Sequence, residues 1–461
     1  MTTLSAIVLA AGEGKRMKSS LTKVLHPAAG RPLIYYPVRA ALDAGADYVV
    51  VVLSPANREA VEAELTRWFG VDHLRIAVQQ TPRGTGDAAR AGLEQVDSEH
   101  TLVLCGDTPL LGAAHLTAIA TELANTDLVI TGAMVDDPTG YGRVLRDAVG
   151  RVTEIREHRD LQNDEQRAVK EINAGVYAAR VSFLRDALAR IVDDNAQGEL
   201  YLTDTVAIAA QAGSVVSVLG DDREMMGVND RAQLAQAAAQ LYERNALEAA
   251  RAGASVELGA RIDSGVQVDA DAVIRAGATL RGKTRIFPGA LVDTGAVITD
   301  SDIGPGAVIK PHSVILESKV GPGAQIGPFA HLRPASVIEE DAHIGNFVET
   351  KKTVVRKGAK ANHLAYLGDG DIGEKANVGA GTIFCNYDGF RKHKTTIGPG
   401  AFIGSDSQIV APVTIGSGAY VATGTTVTKD VPNDALAIGR IKQENKLGYA
   451  SRLKARLSKS K

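Results

Sequence analysis

The chain has 461 residues, a formal net charge of −3 and two cysteines, Cys105 and Cys385. This length exceeds that of one ordinary core, so we expect two or three domains. The nearly balanced charge points to neither nucleic acid nor an anionic membrane as a partner, and we expect neither. Because the two cysteines form neither a metal-ligand spacing nor a disulfide framework, we expect a reducing compartment and a cytoplasmic protein.

The first ten residues are an apolar stretch that imitates a signal peptide. They lack a basic leader and run straight into a glycine-rich turn, so we predict a buried strand here. No apolar run in the sequence is long enough to cross a bilayer.

Strand and helix patterns alternate from the N-terminus to about position 226. Strands are predicted at 5–10, 48–53, 75–79, 101–105 and 128–133, and helices near 33–44, 57–68, 87–95 and 113–124. This alternation predicts a mostly parallel sheet with helices on both faces, with ligands at the carboxyl ends of the strands. A further helix, about 231–251 and rich in Ala, Leu and Gln, should bridge to the second half of the chain.

A glycine-rich turn, Gly12-Glu-Gly14-Lys15-Arg16-Met17, follows the first predicted strand, and Lys23 comes shortly after it. Glycines let backbone N–H groups approach a phosphate closely, and the basic side chains can neutralise it. The spacing fits neither a Walker loop nor a dinucleotide fingerprint. An ordinary strand-to-helix turn with solvated cations therefore remains an alternative.

Aliphatic residues recur every six positions in the second half of the chain. One run comprises Ile397, Ile403, Ile409, Ile415, Val421 and Val427, and earlier runs begin at Ile274, Ile303 and Val320. This period fits neither an amphipathic helix nor an alternating strand, but it is typical of a parallel β-helix. A flexible glycine-rich linker would have no reason to repeat an aliphatic residue at a fixed step.

The six-residue step fails in two places, between Ile344 and Ile372 and between Phe384 and Ile397. We expect insertions here that form loops on the binding face of the solenoid. These two segments contain Lys351, His363, Tyr366, Asn386, Tyr387 and Lys392. A histidine in a loop is more often simply exposed, so the sequence pattern alone favours no role for His363.

The pattern Gly12-x-Gly14-x-x-Met17 with Lys23 resembles the signature of sugar-phosphate nucleotidyltransferases. The whole chain, hexads included, resembles the bifunctional N-acetylglucosamine-1-phosphate uridyltransferase/glucosamine-1-phosphate acetyltransferases. Lys15 stands where that family usually has Thr, and Thr22 precedes Lys23 where Pro is usual. The resemblance implies an α/β nucleotidyltransferase domain with a Rossmann-like mixed sheet over residues 1–228 and a linker helix over 229–251. A left-handed parallel β-helix of hexapeptide repeats with a basic tail should then occupy 252–461.

The resemblance also implies a uridyltransferase site in the first domain. Arg16 and Lys23 would stabilise phosphate charge, while Asp107 and Asn229 would hold Mg²⁺. Leu9, Ala10, Ala11 and Gly12 would line the nucleotide, together with Lys23 and Asn229. Gln79, Gly84 and Thr85 would hold the uracil, and Gly142, Glu157 and Asn173 would contact the sugar. Read without the family, Asp107 could be a turn residue and Asn229 a helix cap.

For the β-helix, the resemblance implies an acetyltransferase site with His363 as the catalytic base. The residues around the sugar phosphate would be Arg333, Lys351, Tyr366, Asn377 and Lys392. Those around acetyl-CoA would be Ala380, Asn386, Tyr387, Ser405, Thr423 and Arg440. Thr423 stands where the family commonly has Ala. The basic tail could be a helical arm, an electrostatic aid for the CoA phosphates or a solubilising terminus.

The favoured interpretation is a two-site enzyme that makes UDP-N-acetylglucosamine from glucosamine-1-phosphate, acetyl-CoA and UTP through N-acetylglucosamine-1-phosphate. The resemblance further implies a homotrimer with acetyltransferase sites between neighbouring solenoids. The alternative is a sugar-1-phosphate nucleotidyltransferase whose β-helix is only an assembly module.

Overall fold

The structure, a computed structural model, describes residues 3–458. The chain forms two compact units that divide between Tyr242 and Glu243. Within the described residues, no helix combines the length and the apolar character that a membrane span requires.

The first unit is built on a mixed sheet. The strands of this unit are β1 (Leu4–Leu9), β2 (Pro27–Ala28), β3 (Arg31–Pro32), β4 (Tyr48–Leu53), β5 (Leu74–Val78), β6 (His100–Cys105), β7 (Leu128–Met134), β8 (Arg143–Arg146), β9 (Val152–Arg156), β10 (Glu171–Arg180) and β11 (Val215–Leu219). Strands β2 and β3 form a short separate hairpin, and the others form the sheet. The sheet order is β11-β7-β10-β6-β1-β4-β5, and the β8–β9 hairpin joins through β10. Strand β10 runs antiparallel to β6 and β7, whereas β1, β4, β5 and β6 are parallel.

Helices cover both faces of this sheet. They are α1 (Tyr35–Asp43), α2 (Arg58–Phe69), α3 (Thr85–Leu93), α4 (Ala113–Glu122), α5 (Asp164–Ala168), α6 (Val181–Arg190), α7 (Asp204–Gln211) and α8 (Arg231–Arg251). Short 3₁₀ turns form at Lys15–Met17, Lys23–Leu25 and His158–Asp160. Alternate residues of β1 point to opposite faces: Ala6 and Val8 enter the core beneath α1 and α4, and Ile7 enters the core beneath α3 and α6.

The second unit is a parallel β-helix whose short strands stack into three sheets. The first sheet contains Ser255–Val256, Val273–Ile274, Leu291–Val292, Val308–Ile309, Gln325–Ile326, His343–Asn346, Lys360–His363, Asn377–Val378, Phe402–Ile403, Tyr420–Val421 and Leu436–Ala437. The second contains Arg261–Ile262, Thr279–Arg281, Val297–Thr299, Val314–Leu316, His331–Leu332, Glu349–Lys351, Tyr366–Gly368, Ile383–Cys385, Gln408–Val410 and Thr426–Val427. The third contains Gln267–Val268, Arg285–Ile286, Asp302–Ile303, Lys319–Val320, Val337–Ile338, Val354–Val355, Gly370–Ile372, Thr395–Ile397 and Val413–Ile415.

The aliphatic residues of the hexads fill the interior of this β-helix. Every member of the predicted run from Ile397 to Val427 is at most 4% exposed. A helix α9 (Tyr449–Ser458) follows the last coil, and none of its residues is buried. The aliphatic residues of the hexads are therefore the side chains that point into the β-helix.

The insertion predicted between Ile344 and Ile372 is wrong. Between Ile344 and Ile372 the coils continue, with Thr350 and Ala361 at the inward positions that aliphatic residues hold elsewhere. The coil from Val355 to Ile372 is one residue shorter than three hexads, because the third sheet is reached after five residues instead of six. The break in the sequence pattern thus reflects small and polar inward residues and a shortened corner.

The second predicted break is a real insertion. The coil from Ile372 to Ile397 is longer than its neighbours, and the excess forms a hairpin closed by a bridge between Tyr387 and Lys392. The hairpin is internally ordered, since Oδ1 of Asp388 accepts the backbone N–H groups of Phe390 and Arg391 at 2.7 and 2.6 Å.

Candidate active sites

The glycine-rich turn crosses the carboxyl end of β1. Gly14 has φ +63°, and a Cβ at this position would lie 2.5 Å from Cβ of Lys23, so a side chain there would collide with the lysine. The carbonyl oxygen of Ala10 accepts a 2.8 Å hydrogen bond from Nδ2 of the buried Asn57. The turn is therefore fixed at its start and can pass closely over Lys23.

Two adjacent cavities, of about 300 and 430 Å³, open beside this turn. Both are lined by Glu13, Lys23, Pro82 and Glu199. The smaller is also lined by the predicted residues Leu9, Ala10, Ala11, Gly12, Gln79, Gly84, Thr85 and Asp107. The larger adds Arg16 and Asn229. The structure thus brings together most of the predicted uridyltransferase residues, which come from β1, β6, α3 and the loop before α8.

Opposite charges meet inside these cavities. Lys23 forms an ion pair with Asp107, with only 15% and 18% of the two side chains exposed. Arg16 donates from Nη2 to Oδ1 of Asn229 at 2.9 Å. A Cβ on Gly227 would lie 3.8 Å from Oδ1 of Asp107 and 4.0 Å from Nδ2 of Asn229. The side chains of Asp107 and Asn229 therefore both lie next to Gly227. In the part of the chain described, no group of three or more His, Cys, Asp or Glu side chains forms a metal cluster.

The predicted uracil contacts lie at the other end of the smaller cavity. The Nε2 amide group of Gln79 donates to the carbonyl oxygen of Gly84 at 3.1 Å and to Oδ2 of Asp87 at 2.9 Å. Oγ1 of Thr85 accepts from the backbone N–H of Leu202 at 3.0 Å. These bonds fix the orientation of the Gln79 amide before any base arrives.

The predicted sugar contacts Gly142, Glu157 and Asn173 form a neighbouring group that lines neither cavity. The backbone N–H of Asn173 donates to the carbonyl oxygen of Gly142 at 2.9 Å, and a Cβ on Gly142 would lie 3.4 Å from both carboxylate oxygens of Glu157. Burial raises the pKa of Glu157. The group reaches the cavity wall through Gly175, since a Cβ there would lie 3.1 Å from Sγ of Cys105.

Cys105 is not a reactive thiol. Burial and the nearby charge of Asp107 raise the pKa of its thiol to about 12. The thiolate needed for nucleophilic attack is therefore scarce at neutral pH, and Cys105 serves as part of the cavity wall.

In the β-helix, His363 is exposed at the end of its first-sheet strand. It pairs in register with Asn346 one coil earlier, and Nδ1 of the imidazole lies 2.7 Å from Oδ1 of that asparagine. In the following coils the same position is held by Ala380, Ser405 and Thr423, each two residues after an inward residue of the first sheet. Arg440 extends this row by donating to the carbonyl oxygen of Thr423 at 2.9 Å. The structure thus aligns the predicted base with four predicted acetyl-CoA residues along one corner.

The predicted sugar-phosphate residues are only partly brought together. Arg333, Lys351 and Tyr366 lie on the outer face of the second sheet, where Arg333 is bonded to Glu349 at 2.7 Å. Asn377 lies on the first sheet instead. Lys392 belongs to the inserted hairpin, with Nζ 5.5 Å from the centre of the Tyr387 ring.

The base of the hairpin meets this face of the second sheet. Asn386 is buried and donates to Oδ2 of Asp369 at 2.6 Å. A Cβ on Gly368 would lie 2.5 Å from Oη of Tyr366 and 2.6 Å from Nδ2 of Asn386. The glycine therefore makes room for both polar groups on one surface.

Three residues that shape these candidate sites were not predicted from the sequence: Asn346, Asp87 and Glu199. Asn346 precedes His363 by one shortened coil, and the true coil length would have indicated it. Asp87 lies two residues after Thr85 in the first turn of α3. Nothing in the local sequence distinguishes Glu199, whose loop becomes part of the site only through the tertiary fold.

The fold and the two sites define a class: a nucleotidyltransferase unit joined to a left-handed β-helix of the hexapeptide acyltransferase type. Residues 6–169 match the MobA-like NTP transferase domain, and residues 394–429 match the bacterial transferase hexapeptide with six repeats. A protein of Sorangium cellulosum named bifunctional protein GlmU is 61% identical over 99% of this chain and 98% of its own length. Proteins of the same name from Anaeromyxobacter sp. Fw109-5 and Trichlorobacter lovleyi are 50% and 47% identical over at least 94% of each chain.

The chain belongs to this family of bifunctional GlmU proteins. It is an enzyme with UDP-N-acetylglucosamine diphosphorylase and glucosamine-1-phosphate N-acetyltransferase activities, as the sequence resemblance implied. The alternative, in which the β-helix only assembles the protein, is not favoured.

Proposed function

We propose that the chain acetylates glucosamine-1-phosphate in the β-helix and then uridylates the product in the first unit, using the residues that the two sites bring together. The observation that carries this proposal is the separation of two chemically distinct sites. One has cations beside a carboxylate, and the other has an imidazole in line with residues predicted to contact acetyl-CoA.

For uridyl transfer, an oxygen of the sugar phosphate attacks the α-phosphorus of UTP. A new P–O bond forms, and the bond to the β-phosphate oxygen breaks to release pyrophosphate. Arg16 and Lys23 neutralise the charge that builds up on the phosphates, and the cavity aligns the two substrates. Gln79, Gly84 and Thr85 hold the uracil, and the group of Gly142, Glu157 and Asn173 holds the sugar.

Asp107 and Asn229 would hold Mg²⁺. Their oxygens suit a hard cation, and each already accepts a basic side chain, Lys23 or Arg16. The bound ion would supply charge neutralisation at the substrate phosphates. Because Mg²⁺ takes most of its remaining ligands from phosphate and water, two protein ligands are sufficient.

For acetyl transfer, His363 takes the proton from the substrate amine as the amine nitrogen attacks the thioester carbonyl. The N–C bond forms, the C–S bond breaks, and coenzyme A leaves with its sulfur. Since Oδ1 of Asn346 accepts from Nδ1, Nε2 of His363 is the unprotonated nitrogen that can act as the base. Arg333, Lys351, Tyr366, Asn377 and Lys392 hold the sugar phosphate. Ala380, Asn386, Tyr387, Ser405, Thr423 and Arg440 hold acetyl-CoA.

We further propose a cytoplasmic homotrimer. An exposed apolar column, defined by Phe329, Phe347 and Leu364, lies in the corner turns beside His363, and these side chains are 48%, 55% and 60% exposed. The two phenyl rings stack with centres 5.4 Å apart. Burial of this column against a neighbouring copy would remove apolar surface from water next to the proposed base.

Two single variants test the assignment of residues to reactions. Asp107→Ala should lose pyrophosphate release from UTP and N-acetylglucosamine-1-phosphate while keeping thiol release from acetyl-CoA and glucosamine-1-phosphate. His363→Ala should show the reverse, with a loss of about 100-fold or more in acetyl transfer. Asp186→Ala, on the exposed side of α6, is the matched control and should keep both reactions. Pyrophosphate release retained by Asp107→Ala would refute the metal-ligand assignment, and thiol release retained by His363→Ala would refute the base.

A further inference from the structure

The glycine-rich turn is tied to the loop before α8 by two arginines that point in opposite directions. Arg16, in the turn, donates to Oδ1 of Asn229 at 2.9 Å. Arg231, the first residue of α8, reaches back and donates from Nε to the carbonyl oxygen of Met17 at 3.3 Å. These two bonds therefore connect segments that lie at opposite ends of the first unit in the sequence.

A buried histidine supports the second of these arginines. Nη1 of Arg231 lies 3.4 Å from Nδ1 of His26, which is 2% exposed. Burial and the positive charge of Arg231 lower the pKa of His26, so its Nδ1 is available as an acceptor at neutral pH. Arg231 therefore has two acceptors, a backbone carbonyl and an imidazole, that hold its guanidinium over the end of the turn.

The turn closes on two backbone hydrogen bonds of its own, from Met17 N–H to the Gly14 carbonyl oxygen at 2.9 Å and from Lys18 N–H to the Lys15 carbonyl oxygen at 3.2 Å, and the Arg231 contact adds to these. Its 3₁₀ segment Lys15–Met17 is a single turn flanked by left-handed conformations at Gly14 and Lys18, with φ of 63° and 48°. Lys15 is 85% exposed and pairs with Glu13, another exposed residue of the same turn. Met17 is the single buried side chain of the segment.

Resting on the proposed uridyltransferase function, we propose that Arg231 is a positioning residue that keeps Arg16 beside the phosphates once the amide of Asn229 turns to the metal. The bond from Arg16 to Asn229 uses the same oxygen that would bind Mg²⁺, so the guanidinium and the metal ion would compete for it. The bond from Arg231 to Met17 involves no atom of the substrate or metal site. It can therefore hold the turn in place throughout the reaction.

A coupling experiment tests this role. Arg231→Gln should lower kcat/KM for UTP by about tenfold in the wild-type background, the cost of one lost charge-assisted hydrogen bond. In an Arg16→Gln background, the same change should have almost no further effect, because Arg231 acts through Arg16. Full additivity of the two variants would overturn the proposal. A wild-type chain without uridyl transfer would instead overturn the proposed function.

A second measurement requires neither metal nor activity. In EDTA, trypsin should cleave after residues 15, 16 and 18 faster in Arg231→Gln than in the wild type, because the turn is released. Arg231→Lys, which keeps a cation able to reach the Met17 carbonyl, should remain close to the wild-type rate. Arg39→Gln removes an exposed arginine of α1 and is the matched control. Equal cleavage rates in Arg231→Gln and the wild type would contradict the proposal.

Discussion

Asn346 shows how a side chain in one coil can hold a side chain of the next coil in place. Its Oδ1 lies 2.7 Å from Nδ1 of His363, and parallel pairing puts the two residues side by side. The sequence resemblance pointed to the imidazole, but its partner could not be predicted from a six-residue period, because the coil that separates the two is not a multiple of six. A polar neighbour in a β-helix becomes visible only when the true coil length is known.

Replacing Asn346 should therefore weaken acetyl transfer without affecting uridyl transfer. In Asn346→Ala the imidazole loses the acceptor that fixes its tautomer, and kcat for acetyl transfer should fall by about tenfold. Steady-state kinetics of thiol release would measure the change, with pyrophosphate release from the same preparation as the control. An unchanged kcat would show that His363 needs no partner.

Asp204 provides a pH-dependent prediction for the first unit. Burial, with the charges of Asp160 and Glu154, raises the pKa of this carboxyl to about 6 in the folded state. The folded chain thus binds the proton more tightly than the unfolded chain, whose carboxyl has the ordinary value of 3.8. Protonation of Asp204 therefore stabilises the folded chain. This contribution to the free energy of unfolding is fully present below pH 3.8 and is lost as the pH rises through about 6.

Asp204→Asn should remove this dependence. At pH 7 the variant should be more stable than the wild type by on the order of 1 kcal/mol, a discounted figure because the half-buried carboxylate is partly screened by water. Urea unfolding of both proteins between pH 4 and 7 would measure the difference. If the difference in unfolding free energy between Asp204→Asn and the wild type did not grow with rising pH, burial of the Asp204 carboxylate would not affect stability.

At the scale of elements, the strands and helices predicted from the N-terminus up to β7 lie within two residues of the observed ends. For example, the predicted strand 101–105 corresponds to β6 and the predicted helix 57–68 corresponds to α2. The central strands are short continuous apolar runs, as expected of parallel strands that are buried on both faces. The β8–β9 hairpin and β10 were not predicted, because their register is set by antiparallel pairing across the sheet.

In the β-helix, the six-residue period correctly predicts which residues point inward, but it does not correctly predict where loops form. Of the two predicted breaks, only the hairpin at Tyr387–Lys392 is an insertion, and it lies outside the stack while Ile372 and Ile397 remain paired beneath it. Its stability is local: Tyr387 and Asp388 bond within the hairpin itself. We therefore expect the stack to keep its fold without the hairpin.

Replacing residues 387–392 by two glycines tests that separation. The change should lower acetyl transfer by at least about tenfold, since two proposed substrate contacts are lost, while the melting temperature of the chain should change little. A glycine replacement at residues 148–149, in the exposed turn between β8 and β9, serves as the control and should keep acetyl transfer. Substantial acetyl transfer by the hairpin variant would exclude Tyr387 and Lys392 from the site.

At the scale of the whole molecule, the predicted acetyltransferase residues belong to different parts of the β-helix. The row led by His363 follows one corner of the β-helix, whereas Asn386 and Tyr387 come directly after the second-sheet strand Ile383–Cys385. The exposed apolar column of Phe329, Phe347 and Leu364 lies beside the row. A neighbouring copy that covers this column would enclose the row.

Phe347→Glu should therefore separate the two activities through assembly. A carboxylate in the column would be desolvated in a trimer, so light scattering should show the mass falling from three chains towards one. Acetyl transfer should fall with it, while uridyl transfer should persist. Val149→Glu, which alters an exposed apolar residue of the first unit, is the control. A trimer that tolerates Phe347→Glu would move the interface elsewhere.

The corner between the second and third sheets accepts either five or six residues, so a coil can change its length by one residue without leaving the stack. Coils that differ by one residue return to the same three sheets, as the shorter coil from Val355 to Ile372 and the longer one from Ile397 to Ile415 show. Whole coils could thus be deleted from the stretch before Ile309, each shortening the stack by about 4.8 Å. The scaffold could then serve as a spacer whose length changes by one coil at a time, while the corner with the proposed base His363 is left unchanged.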